Sequence, residues 1–269
     1  MPKLIVQADD LAITHAATLG TLRSVKAGMV RAVGLFTNRP DAAFAAGELA
    51  GVEQLDLGMD LNLVTGAPLL SADQVPSLVG PDGTFRTSHQ IKAAHRTIAQ
   101  DGFYSTFEPE PFDHEQTLAE ARAQVVRFFE LVGRPPAYLH HHAIISPMLD
   151  QVLHEVAAES DVPVMDDLMR FHRVNQVANS WYSTPFPAET QAGCDPIGEF
   201  MAQLDVIAAH EVSLLIVHPG YLDAELLDIT SYHIVRVRDL ELVTSPRVLA
   251  ALAERGIELA NYTSSGLDW

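Results

Sequence analysis

Four stretches of the sequence carry side chains that could do chemistry: Asp9-Asp10, Asp60, the run His140-His141-His142, and His218. Two adjacent carboxylates cannot easily both ionise in a cramped site unless a cation or a hydrogen-bond network compensates. The pair therefore suits a metal ligand beside a base; the alternative is that one aspartate caps the following helix and the other is solvated. Side chains alternate along a strand, so His140 and His142 should share one face and His141 the other. If the shared face looks into a barrel mouth, it offers two imidazole nitrogens suited to zinc and similar borderline cations. Otherwise one histidine is buried and hydrogen-bonded and the others are partly exposed. His218 follows the apolar run from Val212 to Val217. There it could serve as acid or base near neutral pH, or rest as a satisfied core histidine beside Pro219. Asp223, Arg236, Arg238 and Glu241 read as an ion-pair network.

These residues need a frame that brings them together. Leu4–Ala8 is an apolar strand, and Thr14 caps a helix running to about Gly28. Ala32–Phe36 is a second strand and Asp41–Ala50 a short helix. Leu57–Leu63 alternates, placing Asp60 and Asn62 on one face. Val64–Ser88 is a long turn-rich loop. Asp113 heads a long helix ending near Gly133, Ala137–Ile145 is the strand with the histidines, and Ser146–Ser160 is a helix. Val162–Met165 reads as a strand and Pro185–Pro196 as irregular. Val212–Val217, a helix Ser245–Arg255 and a strand Gly256–Asn261 complete the pattern. About seven βα-like units, without repeat or linker, predict one α/β domain over residues 1–269, a distorted (β/α) barrel, with a doubly wound open sheet as competitor. In either fold, functional residues collect at the C-terminal ends of the strands.

Composition narrows the class. With 269 residues and a formal charge of −18, the chain is a poor partner for nucleic acid or anionic membrane surfaces, since such binding rests on Lys and Arg. The N-terminal apolar run is too short for a signal peptide or spanning helix, and the lone Cys194 forms no intrachain disulfide, so a cytoplasmic protein is expected. A homodimer is open. There is no glycine-rich phosphate loop, GxSxG elbow or HExxH motif. Cys194 reads as incidental. Tyr138, Tyr221, Phe85 and Trp181 could line a sugar site or serve as packing.

Taken in order, these segments resemble the YdjC-like carbohydrate deacetylases, the family of chito-oligosaccharide and hopanoid-associated deacetylases. LIVQADDLAITHA is similar to that family's strand followed by Ala-Asp-Asp. LGMDLNLVTGAPLL and VPSLVGPDGTF resemble its Gly-x-His-Leu-Asn-Leu stretch and Ser-Leu-Val-x-x-Asp-Gly-x-Phe loop. GRPPAYLHHHA falls where the family has Pro-Thr-His-x-Asp-Ser-His, and LLIVHPGYLDAEL, SYHIVRVRDLELVTSP and GIELANY resemble its ending. The resemblance implies a distorted (β/α) barrel that removes N-acetyl groups from a small amino sugar or related conjugate with a divalent metal. It implies Asp9 as general base, Asp10 and His142 as metal ligands, and His218 as general acid. Asn62, Tyr221 and Arg238 are assigned to substrate binding.

Two positions depart from the family pattern. Asp60 stands where the family has a metal-binding His, and His140-His141 where it has Asp-Ser. Asp60 as third ligand would harden the site toward Mg²⁺ or Mn²⁺ over Zn²⁺. Alternatively His140, sharing the face of His142, restores a two-His, one-Asp set. Other readings are a silent barrel that only binds a carbohydrate or small ligand, and a metal-dependent hydrolase of another bond.

Overall fold

The apolar run near the N-terminus forms a strand buried from its second residue onward, as expected in a parallel sheet whose two faces are both covered. The computed structural model describes residues 1–100, 104–182 and 186–267. In it β1 (Lys3–Leu11) gives way to α1 (His15–Ala27), whose start is fixed by Thr14 accepting from the Ala17 amide. β2 (Ala32–Leu35), α2 (Ala42–Leu49) and β3 (Asp56–Leu61) follow. The segment 62–87 contains no helix and only an isolated bridge between Val79 and Phe85, yet it is packed down. Val75, Leu78 and Phe85 are buried, and Glu120 accepts from the amides of Leu69 and Leu70.

α3 (Ser88–Ala94) leads into β4 (Arg96–Gln100) and β5 (Ser105–Glu108), an antiparallel pair outside the main sheet. α4 (His114–Val132) starts on the Asp113 carboxylate and ends at Gly133, whose φ of 77° stops the helix in the left-handed region. Then come β6 (Leu139–His141), α5 (Pro147–Ser160), α6 (Asp166–Arg170), β7 (Asn175–Gln176), a 3₁₀ turn at Ser180–Tyr182, α7 (Ala188–Gly193), α8 (Pro196–Met201) and α9 (Leu204–Ala209). The chain continues through β8 (Val212–Val217), α10 (Ala224–Ile229), α11 (Ile234–Val243), α12 (Pro246–Glu254), β9 (Glu258–Ala260) and α13 (Tyr262–Ser265).

The main sheet is parallel, in the order β6-β3-β2-β1-β8-β7, with β9 pairing the first residues of β1. It curls as a distorted (β/α) barrel. Because every strand runs the same way, β1, β3, β6 and β8 end on one face, carrying Asp9-Asp10, Asp60, the histidine run and His218. The expected strand Ala137–Ile145 is paired as a strand only over Leu139–His141, and Val162–Met165 shrinks to a bridge between Leu139 and Val164. Of the region expected to be irregular, Pro185 lies outside the described residues, while residues 188–193 are helical. No helix among the described residues is long and apolar enough to cross a membrane.

Candidate functional site

β1 ends in a bulge. Its register against β2 shifts between Ala8 and Leu11, and Asp10 and Ala12 take φ of 65° and 78°. The bulge turns the two adjacent carboxylates toward different partners. Asp9 Oδ1 accepts from Gln7 Nε2 at 2.7 Å, and Asp9 Oδ2 lies 3.2 Å from His140 Nε2. Asp10 Oδ2 accepts from Arg236 Nη2 at 2.6 Å, and Asp10 Oδ1 lies 2.9 Å from His142 Nδ1.

Around Asp9 the donor atoms of Asp9, Asp60 and His140 gather within 4.8 Å of one another, all three residues buried. Asp60 and His140 face each other directly in the β3/β6 ladder. The two departures from the family pattern thus occupy one cross-strand pair. Asp60 Oδ2 accepts from the Asp10 amide at 2.9 Å, while Asp60 Oδ1 is buried with no hydrogen-bond partner. Burial, and then the neighbouring Asp9, push the Asp60 carboxyl well above the usual carboxylate range. Burial alone would discharge His140, but Asp166 and Asp9 outweigh it and raise its pKa well above the ordinary histidine value. Asp166 Oδ2 receives His140 Nδ1 at 3.0 Å and the His141 amide at 3.1 Å. A carboxylate on the outer nitrogen of an imidazole fixes the tautomer that leaves Nε2 free for a metal.

This group fits a divalent cation. An orphaned buried carboxylate oxygen, two carboxylates and a tautomer-locked imidazole form an oxygen-rich set whose negative charge calls for compensation. The adjacent strand β2 is shaped for it, because a Cβ at Gly34 would fall 1.8 Å from Asp60 Oδ1.

The second half of the site centres on Asp10. Burial would raise its carboxyl, but His142 and Arg236 hold it well below the usual range, so it stays ionised. The His142 ring meets Phe36 edge-on at 4.6 Å. His218 completes this half from the end of β8, partly exposed, its imidazole kept neutral chiefly by burial although Asp10 opposes this. Its amide donates to Asp239 Oδ2 at 2.8 Å, and its Nδ1 lies 3.0 Å from the Tyr182 hydroxyl.

The structure therefore does not gather Asp10, Asp60 and His142 into one donor group among the described residues; Asp9 and His140 join Asp60 instead. His140 and His142 do not share a strand face, because the strand stops at His141 and Ala143 turns with φ of 61°. Asn62, expected at the substrate, closes a turn: Oδ1 accepts from the amides of Val64 and Thr65, and Nδ2 donates to Asn38 Oδ1 and Thr65 O. Tyr221 accepts from Arg23 on the outer side of α1, and Arg238 pairs with Glu241 and the Ala192 carbonyl. Tyr138 and Phe85 are buried packing, and Trp181 is buried with its Nε1 donating to Asp239. Arg236, by contrast, is only 2% exposed and enters the site. Asp166 and Tyr182 carry no motif, and nothing within the SYHIVRVRDLELVTSP stretch singles out Asp239; their partners reveal them.

A family model described as YdjC-like protein matches residues 3–254. The chain belongs to the YdjC-like family. It is 30% identical to the carbohydrate deacetylase of Geobacillus stearothermophilus over 267 residues, which covers 97% of this chain and 98% of that protein. It is 28% identical to carbohydrate deacetylase 2 of Listeria innocua serovar 6a, with 97% of each chain covered. Among solved structures, an Enterococcus faecalis V583 protein provisionally described as a cellobiose-phosphate cleavage protein superposes with a TM-score of 0.73 at 27% identity, covering 98% of both chains. The catalytic domain of a peptidoglycan N-acetylglucosamine deacetylase from Eubacterium rectale, at 10% identity and a TM-score of 0.50 over 98% of this chain and 90% of that one, shares the fold. The YdjC-like match agrees with the resemblance read from the sequence, and the barrel agrees with the strand pattern.

Proposed function

We propose that this YdjC-like protein is a metal-dependent carbohydrate deacetylase that hydrolyses the N-acetyl amide of a small amino sugar or related conjugate. The observation that carries the reading is the meeting of Asp9, Asp60 and His140 at the strand ends, beside an Asp10–His142 pair, in a chain similar throughout to carbohydrate deacetylases. Asp9, Asp60 and His140 would hold the cation, with Mg²⁺ or Mn²⁺ favoured over Zn²⁺ by the two carboxylates. When bound, such an ion supplies electrophilic polarisation of the amide carbonyl and a more acidic water.

The remaining residues handle protons. Asp10, held ionised by Arg236, orients His142 and stabilises the charge that imidazole gains on taking a proton from the attacking water. This moves Asp9 from base to metal ligand, and Asp10 and His142 from metal ligands to an orienting carboxylate and the base, relative to the parts that the resemblance gives them. His218, at the end of β8 and close enough for Asp10 to act on its charge, would protonate the leaving amine. The amide substrate is neutral, which suits an acidic protein of charge −18 that would repel polyanions.

Purified protein, stripped with a chelator and reloaded, should bind about one Mn²⁺ or Mg²⁺ per chain and release acetate from some member of a panel of N-acetyl amino sugars. Asp9→Asn should lose tight metal binding. Asp10→Asn should keep the metal while turnover falls by about 10²-fold or more. The reverse pattern, with metal retained in Asp9→Asn and lost in Asp10→Asn, would restore the roles implied by the family resemblance. Absence of both metal and acetate would leave a carbohydrate-binding barrel.

A further inference from the structure

We infer that Asp239 and Tyr182 act through His218 as a proton relay, so that a neutral imidazole serves as the acid when the amine leaves. The inference rests on the deacetylase reading above and adds to it the source of the proton. Its basis is a continuous chain of hydrogen bonds that ends in a dead-end carboxyl. Tyr182 donates to Asp239 Oδ2, and its oxygen lies 3.0 Å from His218 Nδ1. Trp181 Nε1 donates to Asp239 Oδ1 at 3.0 Å, and the His218 amide donates to Asp239 Oδ2 at 2.8 Å. Asp239 is fully buried, and among the described residues these partners are its path to the site.

The groups facing Asp239 are few. Arg236 stands one turn away on α11 and is engaged with Asp10; Tyr182 and Trp181 come from the 3₁₀ turn, His218 from the end of β8, and the Cys194 thiol from the end of α7. Burial, against the bonds from Tyr182, the His218 amide and Trp181, pushes the Asp239 carboxyl up to about 6. A buried acid in that range carries its proton for part of the time near neutral pH.

The two protonation states of Asp239 select different tautomers of His218. With Asp239 ionised, the Tyr182 hydroxyl proton goes to the carboxylate, Tyr182 oxygen accepts from His218 Nδ1–H, and Nε2 carries only a lone pair. When Asp239 is protonated it donates to Tyr182 oxygen, the Tyr182 proton turns to His218 Nδ1, and Nε2 carries the proton. Only the second state is an acid. As the C–N bond of the tetrahedral intermediate breaks, the amine nitrogen takes the Nε2 proton, Nδ1 takes the proton of Tyr182, and Tyr182 takes that of Asp239. Asp239 is left as carboxylate. The proton gained by His142 and the one lost from Asp239 exchange with solvent between turnovers, so the cycle balances.

A purely structural Tyr182 or Asp239 would affect every substrate alike, whereas a relay matters only when the leaving group needs a proton. Tyr182→Phe and Asp239→Asn should each lower kcat on an N-acetyl amino sugar by about 10²-fold with KM changed by at most about twofold. On p-nitrophenyl acetate, whose phenolate leaves unprotonated, the loss should be no more than a few-fold. Equal losses on amide and ester overturn the relay. If the wild-type protein releases no acetate from any amino sugar, it is the deacetylase reading that fails, and the relay is decided by ¹⁵N NMR of His218. The wild-type ring should pass from the Nδ1–H to the Nε2–H tautomer as pH falls through the Asp239 transition near 6, and Tyr182→Phe should abolish the change. An unchanging wild-type tautomer across that transition overturns it.

Discussion

At Gly34 a single methyl group decides whether Asp60 can stand where it does. A Cβ there would lie 1.8 Å from Oδ1 and 2.2 Å from the carboxyl carbon, so Gly34→Ala must drive the carboxylate out of the donor group. We expect the variant to fold, with an overpacking cost of about 1–3 kcal/mol, and to lose tight metal binding. Calorimetric titration of the stripped protein checks this, and unchanged affinity would remove Asp60 from the ligand set. The same scale shows what could be read from sequence. Residue types sufficed to pick out Asp9, Asp10, Asp60, the histidine run and His218. Side-chain directions were hidden, because period-two reasoning assumes an unbroken strand. The left-handed backbone at Asp10 and Ala143 breaks that assumption at both places. Arg236 reads from sequence as part of an ion-pair network with Asp223, Arg238 and Glu241, but its carboxylate partner is Asp10, far away in sequence, which explains its burial.

Among the elements, α1 fastens the turn that carries His218. Gly20 lies so close to this turn that a Cβ would come within 2.5 Å of Gly220 Cα, and Thr21 Oγ1 donates to the Pro219 carbonyl at 2.8 Å. From the other side, the Gly220 amide donates to the Arg236 carbonyl of α11. His218 is thus held between two helices at the end of β8. Gly20→Ala should push α1 away from this turn and lower kcat, with metal affinity unchanged because the donors sit on β1, β3 and β6. Parallel kinetics and metal titration test this; loss of metal binding would show that the halves of the site are not independent. Elements with strong end signals were legible: α1, α4, α5 and α12 begin on Thr14, Asp113, Ser146 and Ser245, each accepting from the amide of the third residue of its helix. The antiparallel β4–β5 pair and the six-residue helices α7 to α10 were not, since so few residues show no period and tertiary packing decides their state.

For the whole molecule, the charge of −18 becomes concrete as buried charge at one end of the barrel, where Asp9, Asp10, Asp60 and Asp166 meet one arginine and several histidines. The folded-state pKa values of Asp60 and His140 are both raised, so the stability tied to their protons is present at low pH and lost as pH rises through those values. Asp10 and Asp166 are lowered; their contribution is lost at the acid end, as pH falls through their folded values. The metal-free protein should therefore weaken toward alkaline pH, where a cation replaces the missing protons. A ligand at 100 times its Kd adds about 2.7 kcal/mol to folding stability. The gap in Tm between metal-loaded and chelated protein should consequently be wider at about pH 8 than at about pH 6, since protons compete with the ion for the same atoms. Asp60→Asn removes one of the crowded carboxylates. It should raise the Tm of the chelated protein at the higher pH and erase the gained stability on adding Mn²⁺. If the gap survives that substitution unchanged, the ion binds elsewhere and the charge at the strand ends is balanced by protons alone.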